Sequence, residues 1–193
     1  MRGLGVDVGG RRKGFDVAVV EGRRLVRHAR RCTVADVVAL AREHEPAAIG
    51  VDAPCGCAPA GALSRADERA LSRAVCAIRF TPDAATVQAG GRFYEWIRHG
   101  LELYAALEAS VPAIPAIEVF PTAAWTRWSG PRGGASRAAW SALALAGLGL
   151  EGVPARTGQD LRDAIAAAVT AQRHAQGETE SYGAIVVPLR SRP

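Results

Sequence analysis

Two short apolar runs separated by a polar turn open the chain. They cover residues 4–8 and 15–20, and the second is rich in β-branched residues, which is typical of strands. Residues 9–14 between them are rich in glycine and basic side chains, a composition that favours a turn. Glu21 and Gly22 allow a second reversal, and residues 23–31 carry charges that suit an edge strand. The opening therefore predicts an antiparallel meander of three strands.

The next segment changes to a helical period. Thr33 and Asp36 have the spacing of a capping box in its aspartate variant, and apolar residues recur on one face as far as His44. Pro46 ends this helix, and the apolar run 48–52 follows it. Because a helix connects this fourth strand to the meander, we expect it to lie parallel to the first strand. The predicted order of three strands, a helix and a strand is that of a ribonuclease H-like core.

Beyond the fourth strand the pattern predicts helices first and a return to the sheet afterwards. Residues 54–115 combine loops with helical stripes, and we interpret them as a helical insertion. A fifth strand is predicted over 117–120, a long helix over 159–176 and a β-like segment over 182–187. Four further helices are predicted to begin near Ser64, Arg92, Thr122 and Ser136. The pattern thus predicts one α/β domain over residues 1–193, with a mixed five-stranded sheet flanked by helices.

The composition is that of an ordinary globular protein. Hydrophobic residues make up 49% of the 193 residues and charged residues 22%, which suits one domain with a buried core. No stretch reaches about eighteen uncharged apolar residues, and Asp7 interrupts the start of the chain. We therefore predict no membrane span and no signal peptide, and we expect a cytoplasmic protein. The four cysteines are too irregularly spaced for a disulfide framework.

The positive charge is compatible with a nucleic-acid partner. The formal net charge is +5, and basic side chains that contact phosphates release counterions. Nearly all of this charge comes from arginine, since Lys13 is the only lysine. A solvated arginine surface would give the same composition, so the charge alone leaves both interpretations open.

Two aspartates occupy positions where a strand would normally bury an apolar side chain. Asp7 lies within the first predicted strand and Asp52 ends the fourth. If these strands are parallel neighbours, both carboxylates converge at one edge of the sheet. Such like charges repel each other unless a cation or a proton is shared between them. Each aspartate also has a structural alternative, since Asp7 could pair with an arginine and Asp52 could cap the loop that follows its strand.

A third acidic element lies on the long closing helix. Asp160 and Asp163 are three residues apart, so both carboxylates lie on one helix face. Carboxylate oxygens of this kind suit Mg²⁺ or Mn²⁺, and two such ions can activate water and stabilise the leaving oxygen of a phosphodiester. Alternatively, Asp160 is a favourable charge near a helix N-terminus. The pattern predicts Asp7, Asp52, Asp160 and Asp163 as metal ligands of a nuclease.

Four segments together resemble a known family. They cover residues 5–10, 49–54, 118–121 and 160–171. They resemble the domain of unknown function 429 (DUF429) family, described as predicted nucleases of ribonuclease H fold, and the likeness spans nearly the whole chain. The Asp-x-x-Asp-Ala pattern of the closing helix is also similar to the last catalytic helix of bacterial Holliday junction resolvases. The resemblance implies a ribonuclease H-like fold and a nuclease activity on DNA or RNA.

Four charged residues outside the aspartates complete the candidate site. Glu118, inside the fifth strand, is a further candidate catalytic residue, or else it pairs with an arginine in a structural network. Its candidate partners are Arg65, Arg69 and Arg79, all in the insertion. These arginines are also the candidates for binding substrate phosphates, because a guanidinium binds phosphate through two parallel hydrogen bonds.

Two other functions remain open at this point. The chain could be a ribonuclease H-fold binding module without catalytic activity. It could also be a phosphotransferase of the sugar kinase and actin superfamily, which shares this core but normally uses two such domains around ATP. A shared cation site distinguishes the nuclease from the binding module, and nucleotide binding would indicate the phosphotransferase.

Overall fold

The computed structural model describes residues 1–190 as a central sheet with helices on both faces. The strands are β1 Arg2–Val8, β2 Phe15–Glu21, β3 Arg24–Cys32, β4 Ala48–Asp52, β5 Ala116–Val119, β6 Thr179–Tyr182 and β7 Ile185–Pro188. The helices are α1 Val34–His44, α2 Ala66–Ala74, α3 Ala84–Ala89, α4 Glu95–Ser110, α5 Pro121–Ser129, α6 Arg137–Gly147 and α7 Gln159–Ala175. A 3₁₀ turn, Gly91–Tyr94, precedes α4.

The sheet has the mixed topology that the sequence predicts. Its strand order is β3-β2-β1-β4-β5-β7-β6. Strands β1, β2 and β3 form the antiparallel meander, and β4, β5 and β7 continue from β1 as parallel strands. Residues 54–115 contribute helices between β4 and β5, as predicted. The fold class is therefore confirmed.

The predicted number of strands was wrong. The sheet has seven strands rather than five, because β6 and β7 form a hairpin at its far edge. Gly183, with a φ of 61°, makes the turn between them, a conformation that glycine adopts at low cost. The sequence predicts a single β-like segment over 182–187, because Thr179–Tyr182 has too little apolar alternation to predict a strand of its own.

Helix starts follow local capping rules with small displacements. Thr33 caps α1 as predicted, since its hydroxyl accepts the Asp36 N–H and the Asp36 carboxylate accepts the Thr33 N–H. Helix α2 begins after Arg65 rather than at Ser64. Helix α5 begins one residue before the predicted cap, with Pro121 in its first turn, where a missing N–H costs nothing. The short helix α3 was not predicted, and Asp83 caps it.

Helix α7 packs directly on the central strands because these strands present glycines to it. A Cβ atom at Gly5 would lie 2.1 Å from the backbone oxygen of Ala164, and one at Gly50 would lie 2.4 Å from that of Ala167. The opposite face of the same strands presents larger side chains, which pack against α1 and α4: Leu4, Val6, Phe15, Ile49 and Val51. The glycine face therefore places the first turn of α7 against the ends of β1 and β4.

The sequence also made predictions about membrane-spanning helices and disulfides. Within residues 1–190 no helix is long and apolar enough to cross a membrane. Each of the four cysteines is a free thiol.

Candidate metal centre

Three aspartates lie side by side on the central strands. In the sheet register, Asp7 of β1 pairs with Asp16 of β2 on one side and with Asp52 of β4 on the other. Directly paired residues point to the same face of a sheet, and α7 covers this face, because Gly5 contacts it two positions before Asp7. The sheet thus brings together the two predicted aspartates and adds Asp16 to them.

Helix α7 contributes a further carboxylate. Asp160 lies in its first turn, and one oxygen each of Asp7, Asp16 and Asp160 lie within 4.8 Å of one another. Asp7 and Asp16 are buried, whereas 39% of the Asp160 side chain is exposed. We call these three residues the aspartate cluster. Asp52 and Asp163, which were predicted as ligands, do not belong to this group.

A lysine ammonium lies between two members of the aspartate cluster. Lys13 Nζ is 3.1 Å from Asp7 Oδ2 and 2.9 Å from Asp160 Oδ1. It takes the position that a shared cation would take between these carboxylates. Because 46% of the Lys13 side chain is exposed, solvent can accept the ammonium if a metal ion displaces it.

Helix α4 anchors the loop that carries Lys13. His99 Nδ1 lies 2.8 Å from the Gly9 carbonyl oxygen, and the His99 ring stacks on Phe15. The Glu95 carboxylate accepts the backbone N–H of Arg11 at 3.2 Å. Helix α4 therefore holds the loop at Gly9 and at Arg11. Lys13, two residues further on, points toward the carboxylates.

Asp16, Asp7 and Asp52 lie side by side on β2, β1 and β4, and we call them the aspartate row. The carboxylates of the aspartate row are incompletely neutralised. Burial raises the pKa of Asp7 from 3.8 to about 6, although the nearby Lys13 ammonium lowers it. Burial and the adjacent Asp7 and Asp163 carboxylates raise the pKa of Asp52 well above its usual range. Burial and the Asp160 charge also raise the pKa of Asp16. Each shift shows that the ionised form lacks compensating donors and charges.

The carboxylate oxygens of the aspartate row suit a hard divalent cation. Asp16 Oδ1 is buried and accepts no hydrogen bond, and the exposed Arg30 guanidinium approaches it only to 3.4 Å. Asp52, half-buried at the end of β4, lies beside Asp7 in the sheet register. Oxygen donors that are close together, buried and free of N–H partners are what Mg²⁺ and Mn²⁺ coordinate.

Asp163 has a different environment, although it shares the helix with Asp160. Its buried carboxylate accepts hydrogen bonds from Trp125 Nε1 at 3.0 Å, Gln159 Nε2 at 3.0 and 3.1 Å and Arg137 Nη2 at 2.9 Å. These donors leave little capacity for a metal ion. The Arg137 charge also lowers the pKa of Asp52, so this guanidinium lies at the border of the aspartate row.

Glu118 pairs with an arginine instead of joining the aspartates. Both of its carboxylate oxygens accept hydrogen bonds from the Arg65 guanidinium, and Glu118 Oε2 also accepts the Cys55 N–H at 2.9 Å. Arg65 further contacts Glu68 through its Nε at 3.2 Å. All three charged side chains are buried. We call Arg65, Glu68 and Glu118 the Arg65 cluster; its geometry corresponds to the ion-pair alternative for Glu118 and occupies the Arg65 guanidinium within the protein.

The other two predicted substrate-binding arginines lie on the surface. Arg69 Nη1 donates to the Ser64 carbonyl and hydroxyl oxygens, at 2.9 and 2.7 Å. Arg79 lies over the Phe93 ring with its guanidinium carbon 5.2 Å from the ring centroid. Arg79 also lines a cavity that includes Asp52 and the buried Arg65, whereas Arg69 does not line it.

Asp16 and Lys13 were missed by the sequence reasoning. Asp16 interrupts an apolar strand in the same way as Asp7, and antiparallel pairing of the first two strands across the 9–14 turn places the two residues opposite each other. That pairing was predicted, so the register contained the signal for Asp16. Lys13 is the only lysine, but no local pattern indicated that it would point at the carboxylates.

Comparisons with known proteins agree with this architecture. The model of the family described as "Protein of unknown function (DUF429)" matches residues 5–185. No curated protein sequence matches the chain.

Two solved structures of Thermus thermophilus RuvC are similar in fold. One, described as RuvC in complex with Holliday junction substrate, aligns with a TM-score of 0.59 and 17% sequence identity, covering 92% of this chain and 96% of that chain. The other, described as the Thermus thermophilus RuvC structure, aligns with a TM-score of 0.51 and 20% identity, covering 92% and 97%. At these identities the likeness concerns the fold, which is ribonuclease H-like.

Proposed function

The chain belongs to the DUF429 family, and we propose that it acts as a metal-dependent nuclease that hydrolyses phosphodiester bonds of nucleic acid. The observation that carries this proposal is the aspartate cluster, in which three carboxylates from β1, β2 and α7 meet with one lysine as their counter-charge. The RuvC structure of similar fold is described with a Holliday junction substrate, which supports nucleic acid as the substrate class.

Asp7, Asp16 and Asp160 would hold the ion, and Asp52 extends the row beside Asp7. When bound, Mg²⁺ or Mn²⁺ polarises a phosphoryl oxygen and lowers the pKa of water at the site. The buried Asp7 and Asp16 are fixed by the strand ladder, while the more exposed Asp160 leaves the site open toward solvent. This combination of rigid ligands and an open side gives a substrate phosphate access to the ion.

The surrounding residues position this site. Gly5 and Gly50 let α7 approach the strands, so Asp160 reaches the sheet carboxylates. Arg137 holds Asp163 and contributes positive charge next to Asp52. Positive charge at the border of a metal site stabilises the negative charge that develops on a phosphoryl group during hydrolysis. Glu118 and Arg65 have no role in the proposed reaction, since the Arg65 guanidinium donates its hydrogen bonds to the Glu118 carboxylate.

One observation favours a second function. Lys13 lies between Asp7 and Asp160 and supplies positive charge to both carboxylates from within the protein. A binding module that kept the fold and lost the chemistry would have this arrangement permanently.

A nuclease assay distinguishes the two. Purified protein is incubated with Mn²⁺ and with single-stranded, duplex and four-way-junction DNA and the corresponding RNA. We expect cleavage that Asp7→Asn and Asp160→Asn each reduce by more than about 100-fold, because even outer partners of metal ligands commonly contribute 10–100-fold. Glu108→Gln, an exposed carboxylate on α4, is the matched control and should cleave like the wild type. Equal cleavage by wild type and Asp7→Asn would indicate a contaminant and remove the proposal.

A further inference from the structure

A large groove lies beside the candidate metal centre. It has a volume of about 820 Å³, and its lining comes from residues 75–79, 120–126 and 131–140. Binding sites for small molecules commonly measure about 300 to 1,000 Å³. We call this feature the arginine groove, after the three arginines that line it: Arg79, Arg132 and Arg137.

The arginine groove carries positive charge without a matching negative lining. None of its lining residues is acidic. Arg79 and Arg132 are exposed, and neither forms an ion pair with any of residues 1–190. Their guanidinium groups are therefore available to an external anion. Arg137 differs from them, because it is paired with Asp163.

The groove leads to the aspartate row. Arg79 and Phe120 line both the groove and a smaller neighbouring cavity, and Asp52 lines that cavity. Arg137 makes a second connection, because it lines the groove and its guanidinium donates a hydrogen bond to Asp163. A ligand that fills the groove would therefore extend to the border of the proposed metal site.

We propose that the arginine groove binds the phosphodiester backbone of the nucleic-acid strand that is cleaved, with Arg79 and Arg132 in contact with its phosphates. This assignment rests on the proposed function, which requires a strand that passes Asp52 and reaches the neighbouring aspartate cluster. Two unpaired arginines in one groove suit a ligand with several negative charges, because a guanidinium binds each phosphate through parallel hydrogen bonds. Binding of this kind is independent of base sequence and falls steeply with salt.

A binding measurement tests the groove separately from catalysis. A fluorescein-labelled 20-nucleotide single strand is titrated in EDTA, so that no cleavage occurs, and anisotropy is followed at several salt concentrations. We expect Arg79→Ala/Arg132→Ala to weaken binding by about tenfold or more at low salt. The slope of log K against log salt should fall in magnitude by about 1.4, since each phosphate contact on a single strand contributes about 0.7.

The matched control removes the same charge elsewhere. Arg24→Ala/Arg27→Ala acts on exposed arginines of the edge strand β3, which contributes no residue to the groove, and should change the affinity by less than about twofold. The groove assignment is overturned if the two double variants bind alike, or if the wild type does not bind the strand. It is also overturned if polyglutamate binds with the same affinity and the same dependence on Arg79 and Arg132.

The outcomes separate this inference from the proposed function. Binding that depends on the two groove arginines, with no metal-dependent cleavage by the wild type, would sink the nuclease and leave the groove in place. Cleavage that depends on Asp7, with binding that is indifferent to Arg79 and Arg132, would sink the groove and leave the nuclease.

Discussion

Two clusters of carboxylates lie near the carboxyl ends of the central strands, and they differ in how many hydrogen bonds these carboxylates accept. In the Arg65 cluster, all four oxygens of Glu68 and Glu118 accept hydrogen bonds from the Arg65 guanidinium or from backbone N–H groups. In the aspartate cluster, the Lys13 ammonium is the main donor, and Asp16 Oδ1 accepts no hydrogen bond. The first cluster is complete without a ligand, whereas the second is not.

This difference indicates what each cluster is for. A hydrogen bond to a charged group contributes roughly 1.5–3 kcal/mol, and a buried charge left without partners costs at least as much. The Arg65 cluster recovers that cost within the protein and ties the insertion to β5. In the aspartate cluster, the negative charges are only partly compensated by protein groups, and Asp160 is exposed to solvent. A cation site requires both properties.

The largest effect is expected from breaking the complete cluster. Arg65→Met leaves Glu68 and Glu118 buried without their cation, so the free energy of unfolding in urea should fall by about 3–5 kcal/mol. Arg65→Met/Glu118→Gln should recover part of this loss, because it also removes one of the unpaired charges. A loss below about 1 kcal/mol for Arg65→Met would mean that the Arg65 cluster contributes little to stability.

The opposite sign is expected in the aspartate cluster. Folding raises the pKa of Asp7 from 3.8 to about 6, so between these values the folded chain holds a proton that the unfolded chain releases. The stability from this group is complete below pH 3.8 and is lost as the pH rises through 6. In EDTA at pH 7.5, Asp7→Asn should therefore be more stable than the wild type, by up to about 3 kcal/mol at 1.36 kcal/mol per pKa unit.

The pH profile supplies the control for that prediction. Urea unfolding of wild type and Asp7→Asn should give nearly equal stabilities at pH 4 and diverge as the pH rises toward 7. A variant less stable than the wild type at pH 7.5 would show that Asp7 is neutralised in the folded chain, and that its cluster resembles the Arg65 cluster.

A smaller effect is expected when the internal cation is removed. Lys13→Met keeps the length of the side chain but leaves Asp7 and Asp160 without their ammonium. If Lys13 competes with a metal ion for these carboxylates, Mn²⁺ should bind Lys13→Met about tenfold more tightly than the wild type, which corresponds to about 1.4 kcal/mol. Arg12→Met, which changes an exposed neighbour in the same loop, should leave the affinity unchanged. Weaker Mn²⁺ binding by Lys13→Met would assign Lys13 a supporting role instead.

The sequence predicts the fold well because period and capping are local properties. The meander, the parallel strand β4 and helix α7 follow from the spacing of apolar residues. The hairpin of β6 and β7 was not predicted, because Thr179–Tyr182 is too polar to show apolar alternation. The candidate site was harder, since the roles of Glu118 and Asp163 depend on which donors face them in space. Glu118 and Asp7 look alike in sequence, because each is a single carboxylate in an apolar strand. Only tertiary packing places Arg65 beside Glu118 and not beside Asp7.

Calorimetric titration with Mn²⁺ tests the central claim most directly. The aspartate cluster should give the wild type one saturable binding transition, which Asp16→Asn and Asp160→Asn each weaken by at least about tenfold and Glu108→Gln leaves unchanged. Asp16 is the most informative position, since only the sheet register places it at the site. Absence of Mn²⁺ binding by the wild type, or binding that is unchanged in both aspartate variants, would contradict the account.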